Sequence, residues 1–446
     1  MANEPWLARA AAAFPQRSAV EDPERSLTYA ELLKLALRVA GRLRGEGVAA
    51  GSWVGIEAVG GVPFALAFHG ILLAGCVAVP IDPRWSAAER ALVEERLAAV
   101  LPLDDPADGE ALARPVTYRL DDPAVVIHTS GTTGTPRPVV LTYRNLLFNA
   151  LGSAVALGLD RNERWLCVLP LSHVGGLTIL TRSAVYATTA IVHPRFDVDL
   201  AYNALERQGA TLVSLVAVTL QRLLDAGWER PRSLRAALTG GGPVPAPLLE
   251  RARGAGVPVS LTYGLTQAAS QVATEPIGRL GEGLQPLFCT QVAISPAGEI
   301  LVRGQTVAPG EVGADGWLHT GDKGALGPDG SLIVEGRLAE TIISGGENVS
   351  PAEVEEVLIA HPSVREAGVF GRPDSRWGEA VWAVVVPAEG ATVEPEELRA
   401  HCRRRLAPFK VPKGIEVVST PLPRTASGKL LRRRLAELVG DGGATG

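Results

Sequence analysis

One stretch constrains this chain more than any other. An apolar run rich in β-branched residues over 124–127 predicts a buried strand. Thr142 is placed as the N-cap of a helix through Tyr143, Leu146, Leu147 and Ala150. Between them the segment 127–142 reads IHTSGTTGTPRPVVLT, with hydroxyls at Thr129, Ser130, Thr132 and Thr133 and glycines at Gly131 and Gly134. Glycine lets backbone N–H groups close around an anion, and small hydroxyls add donors without bulk. Arg137 contributes a fixed positive charge. A Ser/Thr/Gly surface turn shares this composition, but the density of donors points to a polyphosphate. No Gly-Lys-Ser/Thr follows at Walker spacing, so this is a different phosphate loop.

The chain of 446 residues is too long for one small core, and two domains of unequal size are expected. A hydrophobic content of 46% with 20% charged residues fits a globular enzyme. A net charge of −5 argues against a nucleic-acid or membrane-surface binder. Cys76, Cys167, Cys289 and Cys402 are scattered, with no metal-ligand or redox spacing, and read as buried reduced thiols. The first residues, MANEPWLARAAAAF, carry an early acid and no long apolar core, so neither a signal peptide nor a membrane span is read and the cytoplasm is expected. The pattern gives no oligomeric state, and a homo-oligomer stays open.

Over 26–110 the pattern alternates: a helix from about 27 to 44, a strand at 53–58, a helix at 64–74 and a strand at 77–80. This predicts parallel βαβ units. The polar, proline-bearing 102–115 reads as a connection. A strand at 165–169 precedes Pro170-Leu171-Ser172-His173-Val174-Gly175-Gly176, which places His173 where open α/β sheets hold ligands. The alternative is a histidine packed as a polar core residue. Strands at 213–218, 236–238 and 257–261 follow. The second of them leads into Gly240, Gly241, Gly242 and Pro243, where bare backbone can face a flat ring. The third leads into Thr262-Tyr263-Gly264-Leu265-Thr266-Gln267. Short strands with Gly/Pro turns over 285–337 predict a small β-rich subdomain. Ser350-Pro351-Ala352-Glu353 reads as a capping box, and strands around Val369, 381–386 and 417–418 predict a small α+β domain. The Arg403-Arg404-Arg405 run lies beside Leu398, Cys402 and Leu406 at four-residue spacing, so it is read as a solvated basic helix face.

The phosphate loop and the motifs that follow it in order to Lys429 resemble those of the adenylate-forming superfamily of acyl-CoA synthetases, luciferases and peptide-synthetase adenylation domains. The resemblance covers nearly the whole chain. It implies an α/β fold: a large N-terminal domain of layered βαβ subdomains plus the β-rich subdomain, then a small mobile α+β C-terminal domain. The boundary falls at the hinge, giving 1–337 and 338–446. ATP, Mg²⁺ and coenzyme A are the implied cofactors and co-substrates. Thr129 to Gly134 and Arg137 would take the phosphates, Gly240 to Gly242 and Pro243 would border the adenine, and Tyr263 and Gly264 would stack beside it. Thr266 would donate to the α-phosphate, while Asp322 in Trp317-Leu318-His319-Thr320-Gly321-Asp322 and Arg337 would hold the ribose and phosphate. His173 and Gly175 would wall the acyl group. Arg182 would face a second carboxylate of the substrate or lie on a solvated helix face. Ser270 and Gln271 resemble the branch of succinylbenzoate ligases of menaquinone biosynthesis. Gly345 and Gly346 would approach the pantetheine arm, and Lys429 would serve adenylate formation. The chain departs from the family pattern twice. Pro136-Arg137-Pro138 replaces Pro-Lys-Gly, and Gln267 stands where a glutamate binds Mg²⁺. Another aryl- or acyl-CoA ligase, a carrier-loading adenylation domain and a non-catalytic nucleotide-binding homologue remain alternatives. The absence of a carrier-like segment after Lys429 weighs against the carrier-loading reading.

Overall fold

The computed structural model describes residues 3–104, 106–130, 136–374, 376–425 and 430–439, with Ser130 as backbone alone. Up to Pro286 the chain builds two sheets. The five-stranded sheet runs Ala99–Leu101, Trp53–Glu57, Val77–Ile81, Pro123–Ser130, Pro136–Thr142 in spatial order. Its pairs are parallel except the last. The nine-stranded sheet has a parallel centre made of Val259–Leu265, Ala236–Thr239, Leu212–Leu215, Arg164–Cys167, Thr189–Val192 and Ser18–Glu21, with antiparallel strands at both edges.

One core joins the two sheets. It unites Val54 and Ile56 of the first with Trp165 and Cys167 of the second, through Phe64, Phe68, Leu146 and Leu177 of three helices. The helix Val62–Leu73 is apolar all round, so it must be covered on every side. By contrast Tyr29–Gly45 is amphipathic and begins at Thr28, whose side chain forms a capping box with Glu31. A second core on the far face of the nine-stranded sheet gathers Leu166, Val213, Leu223 and Trp228.

Residues 136–142 differ from the reading as a loop entering a helix. They form a strand antiparallel to Pro123–Ser130, in register Thr129↔Arg137 and His128↔Pro138, so the two flanks of the phosphate segment are paired strands. Two prolines within seven residues argue against a strand, but this one is the sheet's edge, where no further strand needs their N–H groups. Thr142 does cap the helix Tyr143–Leu157, in a box with Asn145.

The β-rich segment is an antiparallel sheet of Thr290–Ile294, Glu299–Gly304, Leu318–Leu326 and Leu332–Arg337. The three-residue 3₁₀ turn Leu338–Glu340 then leads to a separate sheet whose longest strands are Val364–Asp374 and Gly378–Pro387. That sheet has its own core with the helices Pro351–Ile359 and Pro395–Arg403, as expected of an α+β unit. The capping box at Ser350 does not form. Its hydroxyl donates instead to the Glu335 carbonyl at 2.8 Å, and Glu353 takes the Lys410 ammonium at 2.6 Å. Both side chains are taken by tertiary partners, a neutral backbone carbonyl for Ser350 and, for Glu353, an ammonium in a stronger charge-assisted bond. Leu398 and Cys402 are fully buried while Arg403 pairs with Glu396 at 2.8 Å, so the arginine run is the outer side of a packed helix. Among the described residues no helix is long and apolar enough to cross a membrane, and all four cysteines are unpaired, with Cys289 the least buried.

Candidate active site

The residues read as nucleotide-binding converge from four elements. Val259–Leu265 runs past its parallel partner, three residues of which face the stretch Val259 to Leu261, and its overhang carries Tyr263 and Gly264. Tyr263 donates its hydroxyl proton to Asp322 Oδ2 at 2.7 Å. Arg337 Nε reaches Asp322 Oδ1 at 2.9 Å, and its Nη1 reaches the Thr320 carbonyl at 3.1 Å. Burial, and then the Asp322 charge, push the Tyr263 phenol far above its ordinary value, so it stays a donor. Gly240 packs on the same strand: a Cβ there would lie 2.4 Å from the Thr262 carbonyl oxygen. Only glycine permits that approach, which leaves open backbone beside Tyr263. Tyr263, Asp322, Arg337 and the Gly240 loop are therefore neighbours, although 97 residues separate the first and last of them in sequence.

The strand that follows the phosphate loop, Pro136–Thr142, lies against the turn Thr266–Ala268 after Tyr263. Gly131, Thr132, Thr133, Gly134 and the Ser130 side chain lie outside the described residues. On its flanks, Thr129 Oγ1 donates to the Arg137 carbonyl at 3.4 Å, and Arg137 Nη2 meets both oxygens of Glu311 at 3.0 and 3.1 Å. The fixed charge of Arg137 is paired with Glu311 in this structure, with most of its side chain in solvent. Thr266 and Gln267 lie in the 3₁₀ turn Thr266–Ala268, whose Gln267 carbonyl accepts the Ala308 N–H at 2.8 Å. Among the described residues no cluster of three or more His, Cys, Asp or Glu could hold a metal. Magnesium carried on substrate phosphates keeps several waters and needs few protein ligands, so the Gln267 amide oxygen fits as a neutral ligand and no more.

The acyl half has two groups. His173 is the N-cap residue of Val174–Tyr186, with its Nε2 buried and without a partner among the described residues. Burial and the Arg84 charge lower its pKa, against Asp82, so the ring is neutral. Beside it, Ser172 Oγ donates to buried Asp82 Oδ2 at 2.7 Å, and Arg84 clamps the same carboxylate at 2.6 Å. Burial alone would raise the Asp82 carboxyl, yet these donors hold it at about 2. Arg182, nine residues further along the helix, is 1% exposed, which excludes a solvated helix face. It donates to Asn149 Oδ1 at 2.5 Å and lies 5.1 Å from the Trp165 ring, and its Nε has no partner among the described residues. Among the described residues no carboxylate pairs with it, and burial lowers its pKa to about 10. Asn149 in turn donates to the Gln271 carbonyl at 3.2 Å, next to Ser270. Asn149 was missed in the sequence. Its signal was the polar pair Asn145 and Asn149, four apart on a face that the structure buries. At rises of 1.5 Å per residue His173 and Arg182 are roughly 13 Å apart along the helix axis.

On the small domain, the Gly345 N–H donates to the Trp377 carbonyl at 2.8 Å, fixing the Gly345-Gly346 turn. Lys429 lies outside the described residues. Arg432, three positions on, joins Glu355 at 2.6 Å and also Glu340 in the turn after Leu338–Ala339. Burial pushes the Glu355 carboxyl up, opposed by Arg432.

Fold and site together define a ligase that activates a carboxylate with a nucleotide. The AMP-binding enzyme family matches residues 7–104 and 94–311 and its C-terminal domain matches 353–429, so the chain belongs to that family. A 2-succinylbenzoate–CoA ligase of Bacillus cereus (strain Q1) is 38% identical over 97% of this chain and 98% of its own. The o-succinylbenzoate CoA synthetase (MenE) of Bacillus subtilis is similar in structure. In complex with the acyl-adenylate intermediate OSB-AMP, or with ATP and magnesium ion, it superposes with a TM-score of 0.90 at 34% identity. These matches cover 98% of this chain and 98% and 100% of theirs. A double mutant of that protein with the product analogue OSB-NCoA gives 0.73 at 34% identity, over 98% of this chain and 99% of that one. Near-identical sequences that differ so much must differ in arrangement, and the present chain has that of the nucleotide complexes.

Proposed function

We propose that this chain is an ATP-dependent 2-succinylbenzoate–CoA ligase of menaquinone biosynthesis, forming acyl-AMP and then the thioester. The full-length similarity to ligases of that name carries the reading. In the first step the substrate carboxylate attacks the α-phosphorus of ATP and pyrophosphate leaves. Little proton transfer is needed, so positioning and charge neutralisation dominate. Tyr263 and the Gly240–Pro243 loop take the adenine, Asp322 and Arg337 the ribose, and Thr129 to Gly134 with Arg137 the phosphates. Thr266 and Lys429 meet the reacting phosphate, and removing one such contact costs on the order of 10² to 10³ in rate. Bound Mg²⁺ supplies charge neutralisation on the phosphates, with Gln267 as its candidate protein ligand. His173 and Gly175 wall the aromatic acid, while Arg182, Ser270 and Gln271 take its second carboxylate. In the second step the domain 338–446 turns about Leu338–Ala339, and Gly345 and Gly346 admit the coenzyme A thiol, which loses its proton and attacks the acyl carbon of the anhydride as AMP leaves.

ATP and coenzyme A as substrates, and four unpaired thiols, favour the cytoplasm. The decisive assay mixes the chain with 2-succinylbenzoate, ATP, Mg²⁺ and coenzyme A and follows pyrophosphate and thioester. Turnover of other aryl or fatty acids in preference to 2-succinylbenzoate would move the substrate assignment. The neutral Gln267 favours one second reading, a weakened homologue, for which ATP would bind without pyrophosphate release.

A further inference from the structure

The strand that carries Asp322 is not regular. Its pairing with the strand Glu299–Gly304 passes from Leu301↔His319 to Glu299↔Lys323, so Ile300 alone faces three residues on the other strand. The excess is a bulge at Thr320, Gly321 and Asp322, with Gly321 at φ +69°. Bulges cost ladder hydrogen bonds and re-aim a side chain, and they need something to hold them. Here Thr320 Oγ1 donates to the Ile300 carbonyl at 2.7 Å, and the Gly321 N–H donates to Glu299 Oε1 at 2.9 Å.

We propose that Glu299 is a positioning residue for the nucleotide site, and that a protonated His319 braces it. The second oxygen of Glu299 lies 2.9 Å from His319 Nδ1, while His319 Nε2 lies 3.0 Å from Asp315 Oδ2. Both ring nitrogens therefore face carboxylates. A neutral imidazole has one N–H and would set its other lone pair against an anion, whereas the imidazolium donates to both. Asp315 is itself fixed, because its Oδ1 accepts the Trp317 N–H at 3.1 Å. The result is a chain of contacts from Asp315 through His319 and Glu299 to Gly321, one residue from the carboxylate that Tyr263 and Arg337 hold. The other charges nearby are engaged elsewhere. Lys323, on the same strand, pairs with Glu335 at 3.2 Å, and Arg303 lies over the Trp317 ring and bonds Gln291.

The sign follows from the geometry. Hydrogen bonds to Glu299 and then Asp315 raise the His319 pKa. The brace is complete below the ordinary histidine value and is lost as pH rises through the raised one. Half of His319 is in solvent, so salt weakens the brace as well.

The inference rests on Asp322 facing the ribose, and its test separates the two ideas. ATP binding is measured by calorimetry, without acid or coenzyme A, across about pH 6 to 9. The proteins are the parent chain, His319→Gln, Glu299→Gln, Glu299→Ala and Asp322→Ala. His319→Gln should bind about three- to tenfold more weakly than the parent at the acid end and converge with it at the alkaline end. Glu299→Ala should be weak throughout. Glu299→Gln keeps an acceptor for Gly321 and should fall between, without the pH step; it also serves if the alanine variant does not fold. Parallel curves for parent and His319→Gln overturn the brace. Unchanged ATP binding in Asp322→Ala overturns the ribose assignment instead.

Discussion

Gln267 and Arg182 show at single positions what the site spends and on what. Gln267 offers a neutral oxygen where Mg²⁺, a hard cation, prefers an anionic one. Gln267→Glu is expected to lower the Mg²⁺ concentration for half-maximal turnover by roughly tenfold, from one added charge at the metal. A Mg²⁺ titration of pyrophosphate release that does not move would take residue 267 away from the metal. Arg182 presents the reverse case, a buried cation that no carboxylate among the described residues pairs with. Desolvating a guanidinium costs several kcal/mol, against about 1–3 kcal/mol for leaving Asn149 Oδ1 unpaired once the arginine is gone. The first term is larger, so Arg182→Met should leave the melting temperature level or raise it. The same substitution should raise KM for 2-succinylbenzoate by about ten- to a hundredfold, the value of a lost charge-assisted hydrogen bond. A variant that melts much earlier with KM unchanged would make Arg182 a structural residue. In the sequence this arginine read equally well as a solvated face, because burial depends on which side of the helix Val174–Tyr186 the sheet covers.

Among the elements, those with strong local signals were legible and those set by distant partners were not. The apolar strand at 124–127, the Thr142 cap and the Val62–Leu73 helix follow from composition and spacing, whereas the helix read from about 27 begins at Tyr29 with Thr28 as its cap. The strand Pro136–Thr142 was hidden, since its two prolines are tolerated only because the sheet ends there. The Ser350 box was read and does not form, because Glu335 and Lys410 lie far away in sequence. Likewise the site motifs were visible one at a time, while the Tyr263–Asp322 bond, 59 residues in span, and the Asn149 relay were not. The Ser172–Asp82 link is of this hidden kind. It ties the end of Val77–Ile81, in one sheet, to the turn before Val174–Tyr186, which packs on the other. Asp82→Ala should cost about 1–3 kcal/mol in urea unfolding at neutral pH. With its folded pKa lowered to about 2, the Asp82 contribution is present above the ordinary carboxylate value and fades as pH falls toward 2. The gap between parent and variant should therefore close in acid, and a gap that persists there would mean that the charge is not what holds the turn.

For the whole molecule, the main question is how one small domain serves two reactions. In the proposed cycle, adenylate formation draws on a cation at the reacting phosphate and thioester formation on that same space for sulfur, so both cannot be met at once. The arrangement here is that of the ATP and adenylate complexes, and the product-analogue complex differs from it. The two domains touch through bonds suited to release: the Ser350 hydroxyl on the Glu335 carbonyl is a single neutral hydrogen bond, worth about 0.5–1.5 kcal/mol. The stronger ties stay within the moving part. Arg432 binds Glu355 and Glu340, both beyond the proposed pivot at Leu338–Ala339, so the turn and the segment after Lys429 would rotate together. Lys429→Ala should then lower pyrophosphate exchange by on the order of 10² to 10³ while sparing thioester formation from added acyl-AMP, since the lysine acts in only one of the two arrangements. Measured side by side, the two half-reactions give a ratio that loss of fold cannot mimic, because unfolding lowers both. Equal loss in each would mean that the lysine supports the domain and does not meet the phosphate, and the two-arrangement cycle would then need another cation.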